Sequence, residues 1–173
     1  MTGGDGRPGE RIVVGALAGA FGVRGEVRLK SFCAEPEAIA AYVPLTTPDG
    51  RVFRAVGITG QAPGALVARV EGIASRAAAA ALRGVPLLAE RARLPPLAED
   101  EFYHADLIGL PVRDAGGAPL GTVRAVLNHG AGDILEVAGP GGRVVLLPFT
   151  RAAVPLVDLA AGVIAADPPE GSL

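Results

Sequence analysis

The sequence predicts a mainly β protein: two small β-barrel domains joined by a Pro-rich linker, with one short helix in the first domain. Three observations carry that prediction. Short apolar stretches recur between Gly-rich turns on both sides of residue 94. Pro95-Pro96 interrupts them with a segment that favours an extended path and continues no helix. Charge also changes sign there: Met1 to Arg93 carries 12 basic and 8 acidic residues (+4), and Leu94 to Leu173 carries 4 basic and 10 acidic (−6), which together give the −2 of the whole chain. The chain accordingly divides into a flexible N-terminus (1–10), a first barrel (11–93), a linker (94–99) and a second barrel (100–173).

The first barrel opens with an apolar run from Arg11 to Ala18. Glu26-Val-Arg-Leu-Lys30 alternates, which puts Val27 and Leu29 on one face and Arg28 and Lys30 on the other. Arg51 to Ile58 and Ala65 to Glu71 read as further strands, and Pro48-Asp-Gly50 as a turn. Ser75 can cap a helix, Ala77 to Ala81 favour one, and Gly84 can end it. Leu82 and Val85 to Leu88 then return apolar side chains to the core.

In the second barrel, Leu110 to Arg113 leads into the tight turn Asp114-Ala-Gly-Gly117, and Leu120 to Leu127 follows as a long strand. Asn128-His-Gly-Ala-Gly132 turns the chain, Ile134 to Ala138 pairs back, and Gly139-Pro-Gly-Gly142 turns it again. Arg143 to Leu147 and Val163 to Ala166 complete the set. Strands at this spacing between Gly-rich turns predict a small sandwich or barrel.

Composition removes several chemistries. Cys33 is the single cysteine, so no intramolecular disulfide or Cys-rich zinc site can form. His104 and His129 are the only histidines, and neither has a second ligand or a nucleophile at useful spacing. No serine sits in a Gly-x-Ser-x-Gly elbow. No segment reaches the roughly 20 apolar residues of a membrane span, and the first ten residues lack the apolar core of a signal peptide. The expectation is a cytoplasmic monomer with no cofactor and no metal.

Two clusters stand out. Gly19-Ala-Phe-Gly22-Val-Arg-Gly25-Glu26 has neither the spacing nor the following helix of a dinucleotide fingerprint. One reading makes Gly22 and Gly25 structural loop residues that need positive φ or close backbone approach. The other makes the segment a basic loop that presents Arg24, Arg28 and Lys30 to RNA phosphates. The second cluster is Asp100-Glu-Phe-Tyr-His-Ala-Asp-Leu-Ile-Gly109. Phe102 and Tyr103 are adjacent and so point in different directions. Aromatics ringed by Glu99, Asp100, Glu101 and Asp106 suit docking onto a basic protein, or else both rings are core. Asp133, after Gly130-Ala-Gly132, is placed to bond the amides of its own turn. No pair of carboxylates reads as a general acid and base.

At these residues the chain resembles the ribosome maturation factor RimM family, over essentially the whole span from Arg11 to Gly171. Gly22-Val-Arg-Gly-Glu-Val27 is similar to its N-terminal signature, and Glu101-Phe-Tyr-His-Ala-Asp-Leu-Ile-Gly109 to the start of its PRC-barrel domain. The likeness continues through Leu120-Gly-Thr-Val123 (which contains Gly121), Gly130-Ala-Gly-Asp-Ile-Leu135, Leu147-Pro-Phe149, Val157-Asp158 and Asp167-Pro-Pro-Glu-Gly171. Phe21 stands where the family often has His, Phe102 where some members have Tyr, and Ser172 where Leu is common. The resemblance implies an N-terminal RimM-type barrel and a C-terminal PRC-barrel. It implies a non-enzymatic assembly factor for the immature 30S subunit that assists 16S rRNA processing and maturation of the subunit head. It further implies contact with small-subunit ribosomal protein number nineteen, with Phe102 and Tyr103 tied to subunit binding.

Two other classes fit the residues. One is an rRNA-processing enzyme that uses dispersed carboxylates such as Asp106 and Asp133 with Mg²⁺. The other is a PRC-barrel adaptor of a non-ribosomal complex.

Overall fold

Strand β1 (Arg11–Phe21) is the long central strand of the first domain. A computed structural model of the protein describes residues 10–93, 104–128 and 132–168. The first nine residues, the linker at 94–99, Phe102, Tyr103 and Gly130 therefore lie outside the described residues.

β1 pairs antiparallel with β2 (Glu26–Ser31) on one side and with β7 (Pro86–Glu90) on the other. Further strands are β3 (Leu45–Thr46), β4 (Val52–Phe53), β5 (Val56–Ala62) and β6 (Ala65–Val70). The order across the sheet is β4-β3-β7-β1-β2-β6-β5. The alternation predicted for β2 is observed: Val27 and Leu29 are fully buried, whereas Arg28 and Lys30 are only partly so. They join Leu17, Leu45, Leu66 and Leu87 in one apolar core. Each such leucine contributes about 2 kcal/mol through the area it removes from water.

Helix α1 (Arg76–Ala81) forms where the sequence places it, because Ser75 accepts the Ala78 amide at 3.1 Å and five alanines follow Arg76. The segment read as one strand from Arg51 to Ile58 is broken into β4 and β5. A 3-10 helix at Pro36–Tyr42 adds a further element, with Ile39 fully buried.

The second domain has its own core, built on Leu107, Val112, Val123, Leu135, Leu147 and Ile164. Its described elements are α2 (His104–Leu107), β8 (Pro111–Arg113), β9 (Pro119–Asn128), β10 (Asp133–Ala138), β11 (Val144–Pro148), β12 (Leu156–Asp158) and β13 (Val163–Ala165). Their order is β11-β10-β9-β8-β13-β12. Two cores on two sheets confirm the predicted fold class of two small β domains.

The domains meet at the β8–β9 turn. Asp114 tightens that turn, with Oδ1 accepting the Gly116 and Ala118 amides at 2.8 and 2.9 Å. The Ser31 amide at the end of β2 donates to the Ala115 carbonyl at 2.8 Å, and Gln61 Nε2 donates to the Gly116 carbonyl at 2.6 Å. Ala115 is 1% exposed, and a Cβ on Gly116 would lie 2.4–2.6 Å from backbone atoms of Ala65. Because β13 pairs parallel with β8, Asp167 emerges on the same side and meets Lys30 of β2. A tight turn of one barrel is thus seated on the strand ends of the other.

Candidate binding surfaces

The β1–β2 hairpin tip owes its path to glycine. Gly25 has φ +89°, and a Cβ there would lie 2.8 Å from the Ala74 carbonyl carbon, so backbone handedness and close approach both exclude a side chain. Gly22, at φ +68°, faces open space. Val23, 79% exposed, and the exposed Arg24 form the projecting turn between them.

The three basic residues expected on this loop part company in the structure. Arg24 is exposed at the tip. Arg28 lies over the Phe21 ring, with its guanidinium carbon 5.4 Å from the centroid, a cation–π geometry. Lys30 turns the other way, to Asp167, at 3.0 Å. Its ammonium belongs to the domain seam, because it sits at the far end of β2 beside Ser31. Two arginines the sequence reading missed lie beside the tip instead. Arg76 Nη1 donates to the Gly22 carbonyl at 2.8 Å, and the exposed Arg83 runs its methylenes alongside Gly19. The available signal was the pair of arginines bracketing the alanine run of α1.

In the second domain, fully buried Leu107 pins α2 to the core, and the Gly109 amide bonds the Val123 carbonyl at 2.8 Å. That anchoring leaves Asp106 exposed and Ile108 49% exposed on the outer side. Most other described carboxylates here have structural partners. Glu136 pairs with Arg124, Asp167 with Lys30, Asp114 with its own turn, and Asp158 with the Ala161 amide. Asp133 Oδ1 accepts from Asn128 Nδ2 at 2.9 Å, so a side chain across the turn is one of its partners. Gly121, at φ +147°, leaves room for the Ala138 carbonyl, which a Cβ would approach to 2.2 Å.

Among the described residues no group of three or more His, Cys, Asp or Glu could hold a metal ion, and no helix is long and apolar enough to cross a membrane. An open, polar cleft of about 710 Å³ lies at the seam, lined by Glu35, Glu37, Thr59, Gln61 and Arg113 among others.

Comparison with known proteins covers nearly the whole chain. Residues 12–94 match the family model described as RimM N-terminal domain, and residues 104–172 match that described as RimM PRC barrel domain. The ribosome maturation factor RimM of Cereibacter sphaeroides is 67% identical over 164 residues, covering 94% of this chain and 96% of the relative. That of Paracoccus denitrificans is 63% identical over 162 residues, covering 93% and 97%. A crystal structure of a RimM protein from Pseudomonas aeruginosa aligns with 29% identity and a TM-score of 0.42, covering 91% of this chain and 97% of that one.

Proposed function

The chain belongs to the ribosome maturation factor RimM family, and from that premise we propose that it is a non-enzymatic cytoplasmic assembly factor that binds the immature 30S subunit. It holds small-subunit ribosomal protein number nineteen with its second barrel and lies near 16S rRNA with its first, assisting rRNA processing and maturation of the subunit head. It works as a monomer without cofactor. The single observation that carries this reading is the split of charge, +4 up to Arg93 and −6 beyond it, on two barrels joined at a shared seam. An acidic barrel suits a cationic ribosomal protein, and a basic one suits RNA.

Phe102, Tyr103 and Asp106 form the protein-binding surface in this proposal, and Arg24 and Arg28 face RNA. Gly22 and Gly25 shape the turn that carries Arg24, and Gly121, Gly130 and Asp133 keep structural roles in the second barrel in this proposal. Such a factor acts only through differential affinity: it binds the unfinished conformation better and leaves as the finished one forms. A preference of about 1.4 kcal/mol shifts the two populations tenfold.

The test is capture from cell extract on tagged protein. Retention of ribosomal protein number nineteen together with precursor 16S rRNA supports the proposal, and retention of neither contradicts it. Incubating the purified protein with precursor rRNA and Mg²⁺ tests the non-enzymatic part, since turnover without other factors would overturn it.

A further inference from the structure

Four arginines lie on or against the β1–β2 hairpin near its tip, and among the described residues none of them has a carboxylate partner. Arg24 occupies the turn, and Arg28 covers the Phe21 ring. Arg76, the first residue of α1, bonds the Gly22 carbonyl, and Arg83, two residues past the helix, lies along Gly19. The nearest acid in sequence, Glu26, is turned onto the Thr59 hydroxyl at 2.7 Å. Like charges gathered without counter-charge repel one another, and a bound anion relieves that repulsion.

We propose that Arg24, Arg28, Arg76 and Arg83 form one face that grips the phosphate backbone of RNA without reading its bases. Guanidinium forks match phosphate oxygens two at a time, which favours arginine over lysine at such a face. Arginine can also fork onto guanine, but paired RNA keeps that edge in a deep, narrow groove, and reading unpaired bases calls for stacking rings or amide side chains. The segments Gly19–Glu26 and Ala74–Gly84 contain no Asn, Gln, His, Tyr or Trp, and the one ring present, Phe21, is partly buried and covered by Arg28. Contacts of this kind position a protein on RNA and leave sequence choice to other surfaces. The proposal deepens the ribosomal reading and rests on it for the source of the RNA. Arg76 and Arg83 enter the binding surface through it, and Lys30 leaves.

The experiment measures fluorescence anisotropy of a fluorescein-labelled RNA hairpin titrated with the full-length protein at several salt concentrations. Arg76→Glu and Arg83→Glu are each expected to weaken binding about tenfold, with a wild-type slope of log K against log salt near −3. Arg143→Glu makes the same change in net charge on the other barrel, where Arg143 is exposed, and is expected to change binding less than about twofold. Arg83 makes no side-chain hydrogen bond among the described residues, so its variant keeps the test independent of local folding. Equal loss in Arg143→Glu, no wild-type binding at low salt, or tighter binding to polyglutamate than to the hairpin overturns the proposal. A wild-type protein that ignores the hairpin yet rides on immature subunits defeats this inference alone, whereas one that binds the hairpin and rides on no subunit defeats the family-based reading.

Discussion

The ammonium of Lys30 lies 3.0 Å from one carboxylate oxygen of Asp167 and 3.1 Å from the other, joining residues 137 positions apart in sequence across the two barrels. Both side chains are partly exposed, 34% and 26%, so water screens the attraction. Lys30→Ala is expected to lower stability by about 0.5–1 kcal/mol and the melting temperature by roughly 1–4 °C. A double-mutant cycle with Asp167→Ala isolates the pair. A coupling above about 2 kcal/mol would contradict the view that this pair is an accessory to the seam.

Gly116 is the stronger determinant of that seam. Its missing Cβ leaves room for the Ala65 backbone, which cannot retreat without disturbing the β5–β6 hairpin. Gly116→Ala is expected to separate the barrels while each keeps its own core, since the two cores share no residues. Limited trypsin digestion reads this directly: cleavage after the exposed Arg93 should accelerate about tenfold. An unchanged rate, with the Ser31 amide still protected from hydrogen exchange, would show that the seam tolerates the methyl group.

Cys33 provides a pH-dependent check on the first core. Burial pushes its thiol from 9.0 up to about 11, partly offset by the Ser31 hydroxyl. Because the unfolded chain gives up this proton first, the contribution is intact below about pH 9 and is lost as pH rises toward 11. A raised value of this size corresponds to roughly 2–3 kcal/mol. Cys33→Ala should flatten the alkaline fall in a pH series of denaturant melts, and native protein should resist thiol reagents near neutral pH. Rapid labelling without unfolding would contradict the burial argument.

Much of this architecture was legible locally. The alternation at Val27 and Leu29 predicted which face of β2 is buried, and Ser75 followed by alanines predicted α1 with its cap. The short turn Asp114-Ala-Gly-Gly117 was legible as a turn, but not as the piece that seats one barrel on the other, since its partners Ser31, Gln61 and Ala65 lie far away in sequence. For the same reason Lys30 read as a companion of Arg24 and Arg28. Alternation gives the face of a strand but not what each end of it meets. Arg76 and Arg83 escaped notice because only the packing of α1 on β1 brings them to the hairpin.

The aromatic pair is tested by Phe102→Ala combined with Tyr103→Ala. The proposed protein-binding role predicts that affinity for ribosomal protein number nineteen falls at least tenfold, while the melting temperature moves only a few degrees. A collapse in melting temperature would instead make these rings part of the core.

The most direct measurement is the particle on which the protein travels. Tagged protein is mixed with cell extract, resolved on a sucrose gradient, and quantified across the fractions. The account predicts that it co-sediments with free, immature small subunits and is depleted from complete ribosomes. Equal amounts per small subunit on both, or none on either, would contradict it.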